Sequence, residues 1–433
     1  MLRLAAGMFG AAVLAMSVAG CGAPVTGASH PSAIPTAVTA ASSLALESEP
    51  AESASADSAP VGSPPPVVVP PPKPVRSPPA DVGFLAQFTQ VSATTWWASV
   101  VGNLTNETFV VRTVDGGRTW QDITPPVSAL GTNDDPISDV LSDQIAWLGA
   151  ATQDSEATIP LYRTSDGGQS WQRVGALPRD CTPEFVDVSS GWCYGLQGAM
   201  GSMGVEIYRT HDGGLTWQLL SQTTGDGTPS TPDALPFGCD KSLTFTPQAV
   251  GWASSFCAGG HPYLDISTDG GGHWRSVTSP PFPAWADPLQ GEGLSAPVVD
   301  GEDLALVDLG GSVGPGDAAI NTSSDDGRSW HVHPLPSPSP GQYWAVDLID
   351  PTHWRATDGD VIISTDDAGA HWSRWTPPVS MRGQGALPLN LDFISPEIGA
   401  ASDAADRTPL WSTTDGGHTW TKVVIDAGPY VLH

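Results

Sequence analysis

The side chains with types and spacing suited to chemistry are paired carboxylates, a histidine pair and a set of cysteines. Asp325-Asp326-Gly327 and Asp366-Asp367 set adjacent carboxylates at a turn, as calcium loops do. A calcium loop also needs oxygen ligands at alternating positions and a closing bidentate Glu, and neither stretch supplies them. His331 and His333 flank Val332 and share one face of an extended strand, but a zinc site would need further ligands. No CxxC, glycine-rich phosphate loop or Ser/His/Asp arrangement stands out. The expectation is therefore no metal, no cofactor and no catalytic residue among these groups.

Most of these carboxylates belong to a larger pattern. The stretch Thr113-Val114-Asp115-Gly116-Gly117-Arg118-Thr119-Trp120 has the form Ser/Thr-x-Asp-x-Gly-x-Ser/Thr/His-Trp, and the chain carries seven versions of it. Their aspartates are Asp115, Asp166, Asp212, Asp269, Asp325, Asp367 and Asp415. Their tryptophans are Trp120, Trp171, Trp217, Trp274, Trp330, Trp372 and Trp420. Successive aspartates are 51, 46, 57, 56, 42 and 48 residues apart. Repeats of that length made of short strands indicate propeller blades.

Each unit has internal order. An alternating apolar stretch such as Glu184-Phe185-Val186-Asp187-Val188 is followed by a turn and a small-aromatic stretch such as Gly191-Trp192-Cys193-Tyr194-Gly195. A third stretch enters the box, as Ile207-Tyr208-Arg209-Thr210 does, and a fourth leaves from its Trp. That gives four antiparallel strands per unit. Within the box, glycines can take φ > 0, the Asp can accept backbone N–H groups, and the Trp can bury its face against the turn or the next blade.

These boxes resemble the Asp-box of the sialidase-type and BNR-repeat β-propellers. Within that superfamily, the pairing of a Gly-Trp-Ala strand with an Arg-Thr-x-Asp-Gly-Gly-x-Thr-Trp box is most similar to exported bacterial proteins of the Ycf48/Hcf136 kind. The resemblance covers residues 81–433 and implies an all-β fold: a seven-bladed β-propeller with the boxes as structural turns on its outer bottom rim. It also implies two kinds of activity, partner binding of the assembly-factor type or glycoside hydrolysis. Sialidases need an arginine triad, a Tyr nucleophile with a Glu, an Asp acid/base and an early Phe/Tyr-Arg-Ile-Pro motif, which this chain lacks. Arg112, Arg163 and Arg209 precede boxes, and Tyr162 and Tyr208 lie on the strands entering them, so none is free for a substrate. Xyloglucanase-like enzymes need two carboxylates across a cleft and use two propellers, whereas this chain has one.

The composition narrows the partners. Of the 433 residues, 17 are Lys or Arg and 46 are Asp or Glu, a net charge of −29, which repels nucleic acid. Residues 1–20 have the form of a signal peptide, with Arg3 as the only charge before the apolar run from Leu4 to Val18. Val18-Ala19-Gly20-Cys21 resembles a bacterial lipobox, which implies lipidation at Cys21 and a membrane anchor. Residues 21–80 are rich in Pro, Ala and Ser and are expected to form a disordered tether. The protein is then extracytoplasmic, lipid-anchored to the outer face of the bacterial cytoplasmic membrane or secreted, and a monomer.

The four remaining cysteines suggest two disulfides in an exported chain. Cys181 and Cys193 bracket one hairpin and Cys239 and Cys257 another, which favours pairing within hairpins, though four cysteines allow three pairings. Function is expected in the long connections between blades, on the face opposite the boxes. Gln222 to Gly238 carries Asp226 and Asp233. Arg275 to Gly293 carries Trp285, Asp287 and Glu292, and Ser373 to Pro388 carries Trp375 and Arg382. Trp and acidic groups together suit a protein or carbohydrate ligand. The sequence thus points to a non-catalytic binding scaffold, with a carbohydrate-active hydrolase as the alternative.

Overall fold

A computed structural model of the chain describes residues 82–102, 108–125, 138–149, 158–178, 181–199, 202–225, 227–257, 262–281, 292–309, 318–339, 342, 344–377, 389–403 and 410–425. Cys21, the leader and the tether lie outside these residues. Among the described residues every regular element is a strand.

The strands run in antiparallel meanders. The first is β1 (Val82–Gln90), β2 (Trp96–Gly102), β3 (Thr108–Thr113) and β4 (Gln121–Asp122). The second is β5 (Ser138–Val140), β6 (Ala146–Gly149), β7 (Thr158–Thr164) and β8 (Gln172–Pro178). The third is β9 (Cys181–Phe185), β10 (Gly191–Ala199), β11 (Ser202–Thr210) and β12 (Gln218–Thr223). A nine-stranded sheet follows. It contains the meander β13 (Asp240–Phe245), β14 (Gly251–Cys257), β15 (Leu264–Ser267) and β16 (Arg275–Ser276), and a short strand β17 (Glu292–Leu294). It is completed by the meander β18 (Val298–Asp300), β19 (Asp303–Leu309), β20 (Ala318–Ser323) and β21 (His331–Pro334). The sixth meander is β22 (Ala345–Leu348), β23 (Trp354–Thr357), β24 (Ile362–Thr365) and β25 (Ser373–Trp375). The last is β26 (Leu389–Phe393), β27 (Gly399–Asp403), β28 (Leu410–Thr413) and β29 (Thr421–Val423).

Each meander packs face to face on the next through its own apolar cluster. Trp97 and Ile123 meet Ala146 and Leu148, and Trp147 and Leu161 meet Phe185 and Cys193. Ile207 meets Phe245, Ile266 meets Leu306, Ile320 meets Trp354, and Ile362 meets Phe393. Leu85, Phe88 and Trp96 of the first meander meet Ala400, Leu410 and Val423 of the last. The circuit is closed by this side-chain packing. β1 pairs with β2 in sequence order, so the first meander is complete without a strand from the C-terminus.

The repeated box is a tight turn with one bonding scheme. Thr113 Oγ1 donates to Asp115 Oδ1 (2.8 Å), Gly117 N donates to Thr113 Oγ1 (3.0 Å), and Thr119 donates through N and Oγ1 to the two Asp115 oxygens (2.9 and 2.6 Å). The scheme recurs at Asp166, Asp212, Asp325 and Asp415. At Asp269 and Asp367 the last donor is a histidine, His273 or His371, with Nδ1 2.6 Å from the carboxylate. The accepted bonds, the Thr119 hydroxyl first, hold the Asp115 carboxyl down at about 2.

The position after the Asp needs a left-handed backbone, with φ of +74° at Gly116. Asp326 fills that position in the fifth box at φ +54° and Ala368 in the sixth at +53°. The second carboxylate of Asp325-Asp326 therefore marks a turn residue, and the described residues contain no group of three or more metal-ligating side chains.

Candidate functional site

The boxes and the turns from strand one to strand two share one end of the meanders. Gly116 N donates to Thr94 O (2.9 Å), and Gly213 N to Ser189 O (2.8 Å). The connections from strand two to three, and from one meander to the next, leave from the opposite end. These connections do not repeat, and the most built part of that rim stands over the fourth and fifth meanders.

There, β17 joins two meanders by main-chain pairing. Gly293 stands opposite Phe256 of β14 on one side and Leu309 of β19 on the other. β17 takes up the edge of β14 beyond Ser254, where pairing with β15 ends at Leu264. Ser295 N donates to Val307 O (2.9 Å) and continues the ladder toward β18. The connection that carries Trp285 and Asp287 thus enters the described structure through a strand locked to both neighbours. A Cβ on Gly293 would lie 2.5 Å from the Phe256 ring, so glycine permits the close approach.

Three further fixtures hold this end of the third and fourth meanders. Cys239 is disulfide-bonded to Cys257 with Cα atoms 4.5 Å apart, at the open end of the β13–β14 pair. Cys181 is likewise bonded to Cys193, with Cα atoms 5.5 Å apart, across β9 and β10. Lys241, 2% exposed, donates from Nζ to the carbonyls of Gly238 (2.7 Å), Met203 (3.0 Å) and Cys239 (3.1 Å). Burial lowers its pKa to about 8, against the opposing pull of Asp240 and Asp265. The connection from β12 to β13 is mostly packed. Leu235 is buried between the third and fourth meanders, and Asp233 O accepts from Trp274 N (2.7 Å). Beside these fixtures Phe237 and Phe256 are 39% and 36% exposed.

The residues singled out in the sequence separate into three groups. Trp285, Asp287 and Arg382, with Asp226, lie outside the described residues. Glu292 is on β17, where its main chain pairs with Cys257. Trp375 is half-buried at the end of β25. Its indole N–H donates to Gly417 O (2.8 Å) in the neighbouring turn, and its ring lies in the cluster with Phe393 and Trp420. It stands three residues after the box Trp, as Ile123 and Val423 do, and those two also pack against the next box.

The arginines that precede the boxes and the strand-two tryptophans are spent on packing. Arg163 lies over Trp147 (5.1 Å to the ring centroid) and Arg209 over Trp192 (4.8 Å). Those indoles stack on Phe185 and Phe245 of the next meander and donate to Gly213 O (2.9 Å) and Gly270 O (2.8 Å).

One acid pair has the electrostatics of a catalytic group. Asp139 on β5 is buried, which raises its carboxyl to about 7. Glu184 on β9 is raised too, by burial and then by Asp139. Asp139 Oδ2, however, accepts Phe185 N of the next meander (2.6 Å), and Asp347 Oδ2 accepts Phe393 N (2.5 Å) at the equivalent place. A contact built twice at matching positions is a joint between meanders.

No family model matches the chain, and no curated protein matches it. Among solved structures it is similar to Ycf48 bound to a D1 peptide: 18% identity over 81% of this chain and 97% of that one, TM-score 0.47. It is similar also to Ycf48 from Cyanidioschyzon merolae: 18% identity, 80% and 95% covered, TM-score 0.43. A third is the GH74 xyloglucanase from Xanthomonas campestris, 16% identical with TM-score 0.43; the match takes in 79% of this chain but only 60% of that enzyme. At these values the likeness assigns no function.

Two features of the rim had no sequence signal strong enough to find them. β17 is three residues long, and only Gly293 hinted at a close approach. The burial of Lys241 depends on three carbonyls, two of which lie two and three residues before it in the chain.

Proposed function

We propose that this protein is a seven-bladed Asp-box β-propeller, tethered to the outer face of a bacterial membrane through lipidated Cys21, that acts without catalysis as a binding or assembly scaffold. The seven apolar clusters, each joining one meander to the next and the last to the first, support the blade count. The observation that carries the binding role is β17, which gives the connection bearing Trp285 and Asp287 a base locked to two blades. Rigid bases under non-repeating connections are where recognition concentrates. The net charge of −29 selects a neutral or cationic partner, a protein segment or a neutral glycan, bound by a monomeric propeller.

The test is to replace residues 282–290 with a Gly/Ser linker of equal length and to probe peptide and glycan arrays with parent and variant. Binding by the parent, lost in a variant that melts at the same temperature, is expected. Equal binding by both removes the rim over the fourth and fifth blades as the site. Mass spectrometry of the mature N-terminus tests the anchor, since an unmodified Cys21 rules out lipidation.

The alternative, a glycoside hydrolase, has one observation in its favour: the Asp139 carboxyl, at about 7, would be a competent general acid near neutral pH. The matching joint at Asp347 argues for structure instead.

A further inference from the structure

The two disulfides differ in their surroundings. Cys181 and Cys193 are both 0% exposed, sealed between the second and third meanders. Cys257 is 3% exposed, but its partner Cys239 is half-buried at the rim. Cys239 also holds a left-handed backbone, φ +53°, which a residue with a Cβ adopts at a cost. One group faces the sulfur that would leave if Cys239 were attacked, and a cation stands at the main chain of its disulfide partner. Ser255 Oγ is 3.7 Å from Cys257 Sγ and is the hydrogen donor of that pair, since a disulfide sulfur has no proton. Lys241 stands opposite Ser255 in the β13–β14 register and brings an ammonium group to the carbonyl of Cys239 (3.1 Å). A hydroxyl donor and a nearby cation both favour a thiolate.

We propose that Cys239–Cys257 is a thiol–disulfide exchange site, open to a dithiol reductant, and that its cleavage loosens the β17 bridge while the rest of the sheet stays folded. A thiolate of the reductant attacks Cys239 Sγ and forms a mixed disulfide. The Cys239–Cys257 bond breaks, and its electron pair leaves on Cys257 Sγ as a thiolate, which the Ser255 hydroxyl stabilises. The second thiol of the reductant, deprotonated, attacks its own sulfur in the mixed disulfide and expels Cys239 as a thiolate. The reductant ends as a cyclic disulfide, and the protons released by its two thiols restore Cys239 and Cys257 as thiols. Two electrons pass in total.

Cleavage is local because β13 and β14 remain paired from Lys241–Ser255 to Phe245–Gly251, and Lys241 still clamps Gly238 and Cys239. The freed residues are the end of β14, whose Phe256 and Cys257 pair with Gly293 and Glu292. This site does not depend on what the rim binds.

The experiment treats the full chain with dithiothreitol under native conditions, traps thiols by differential alkylation, and maps them by mass spectrometry alongside amide hydrogen exchange. Cys239 and Cys257 are expected to open more than about tenfold faster than Cys181 and Cys193. Exchange should rise at residues 256–257 and 292–294 while β9 and β10 keep their protection. Ser255→Ala should slow cleavage severalfold and displace its pH profile upward, with Ser255→Thr restoring both. Opening of both disulfides at one rate together with global unfolding, or of Cys181–Cys193 first, overturns the exchange site. Selective cleavage with an unchanged rate in Ser255→Ala overturns the role given to Ser255.

Discussion

Asp139 and Ala368 are residues whose local cost is visible, and each gives a prediction. Ala368 sits at φ +53° where five other boxes carry glycine at φ between +72° and +84°. An L-residue in that region is strained, and glycine is not. Ala368→Gly is expected to raise stability by up to about 1 kcal/mol after the added entropy of the unfolded chain is counted, read as a higher Tm. A lower Tm would show that the turn gains more from the Ala methyl than it loses in strain. Asp139 is raised by burial to about 7, so between the ordinary carboxyl value and about 7 the folded state holds more protons than the unfolded one. Its contribution to stability therefore falls as pH rises through that window. Asp139→Asn keeps an acceptor for Phe185 N–H and cannot ionise. It should melt near the parent at about pH 4 and above it at about pH 8, and a gap independent of pH would contradict the assignment. The box carboxylates were legible from spacing alone, because one bonding scheme repeats. The state of Asp139 was not, because it depends on a neighbouring meander that local sequence does not describe.

At the scale of elements, the strands and their turns follow from alternation, Gly-Trp pairs and box position. The ends of the strands do not. Trp375 illustrates the difference. In sequence it opens a long connection beside Arg382 and looks available to a ligand; in the structure it ends β25 and donates to Gly417 O. The comparison that would have placed it is with Ile123 and Val423, three residues after their own box tryptophans. Trp375→Ala is expected to cost up to about 3 kcal/mol, the low end for removing a large aromatic because the ring is only half-buried. Denaturant unfolding measures the loss, and ligand affinity of the folded fraction should stay at the parent's value. Lost affinity at unchanged stability would return Trp375 to the binding surface. β17 is the opposite case, an element invisible in sequence whose pairing depends on where β15 leaves the edge of β14.

At the scale of the whole molecule, the sequence repeats left open how the last unit meets the first. β1 and β2 pair in order, and Trp120 Nε1 donates to Val424 O (3.1 Å) beside Ile425 in the closing cluster. A chain ending at Ile425 is therefore expected to keep its Tm within about 2 °C; a large drop would show that the last residues contribute to closure. The boxes repeat one bonding scheme, and on the reading proposed above function belongs to the rim that does not repeat. On the proposed reading this rim binds and does not catalyse. The most direct measurement is turnover by the purified full chain of sialosides, xyloglucan and other β-glucans near neutral pH, with Asp139→Asn and Glu184→Gln as controls. No turnover above the buffer blank is expected for any of the three proteins. Robust turnover by the parent that disappears in either variant would contradict the claim.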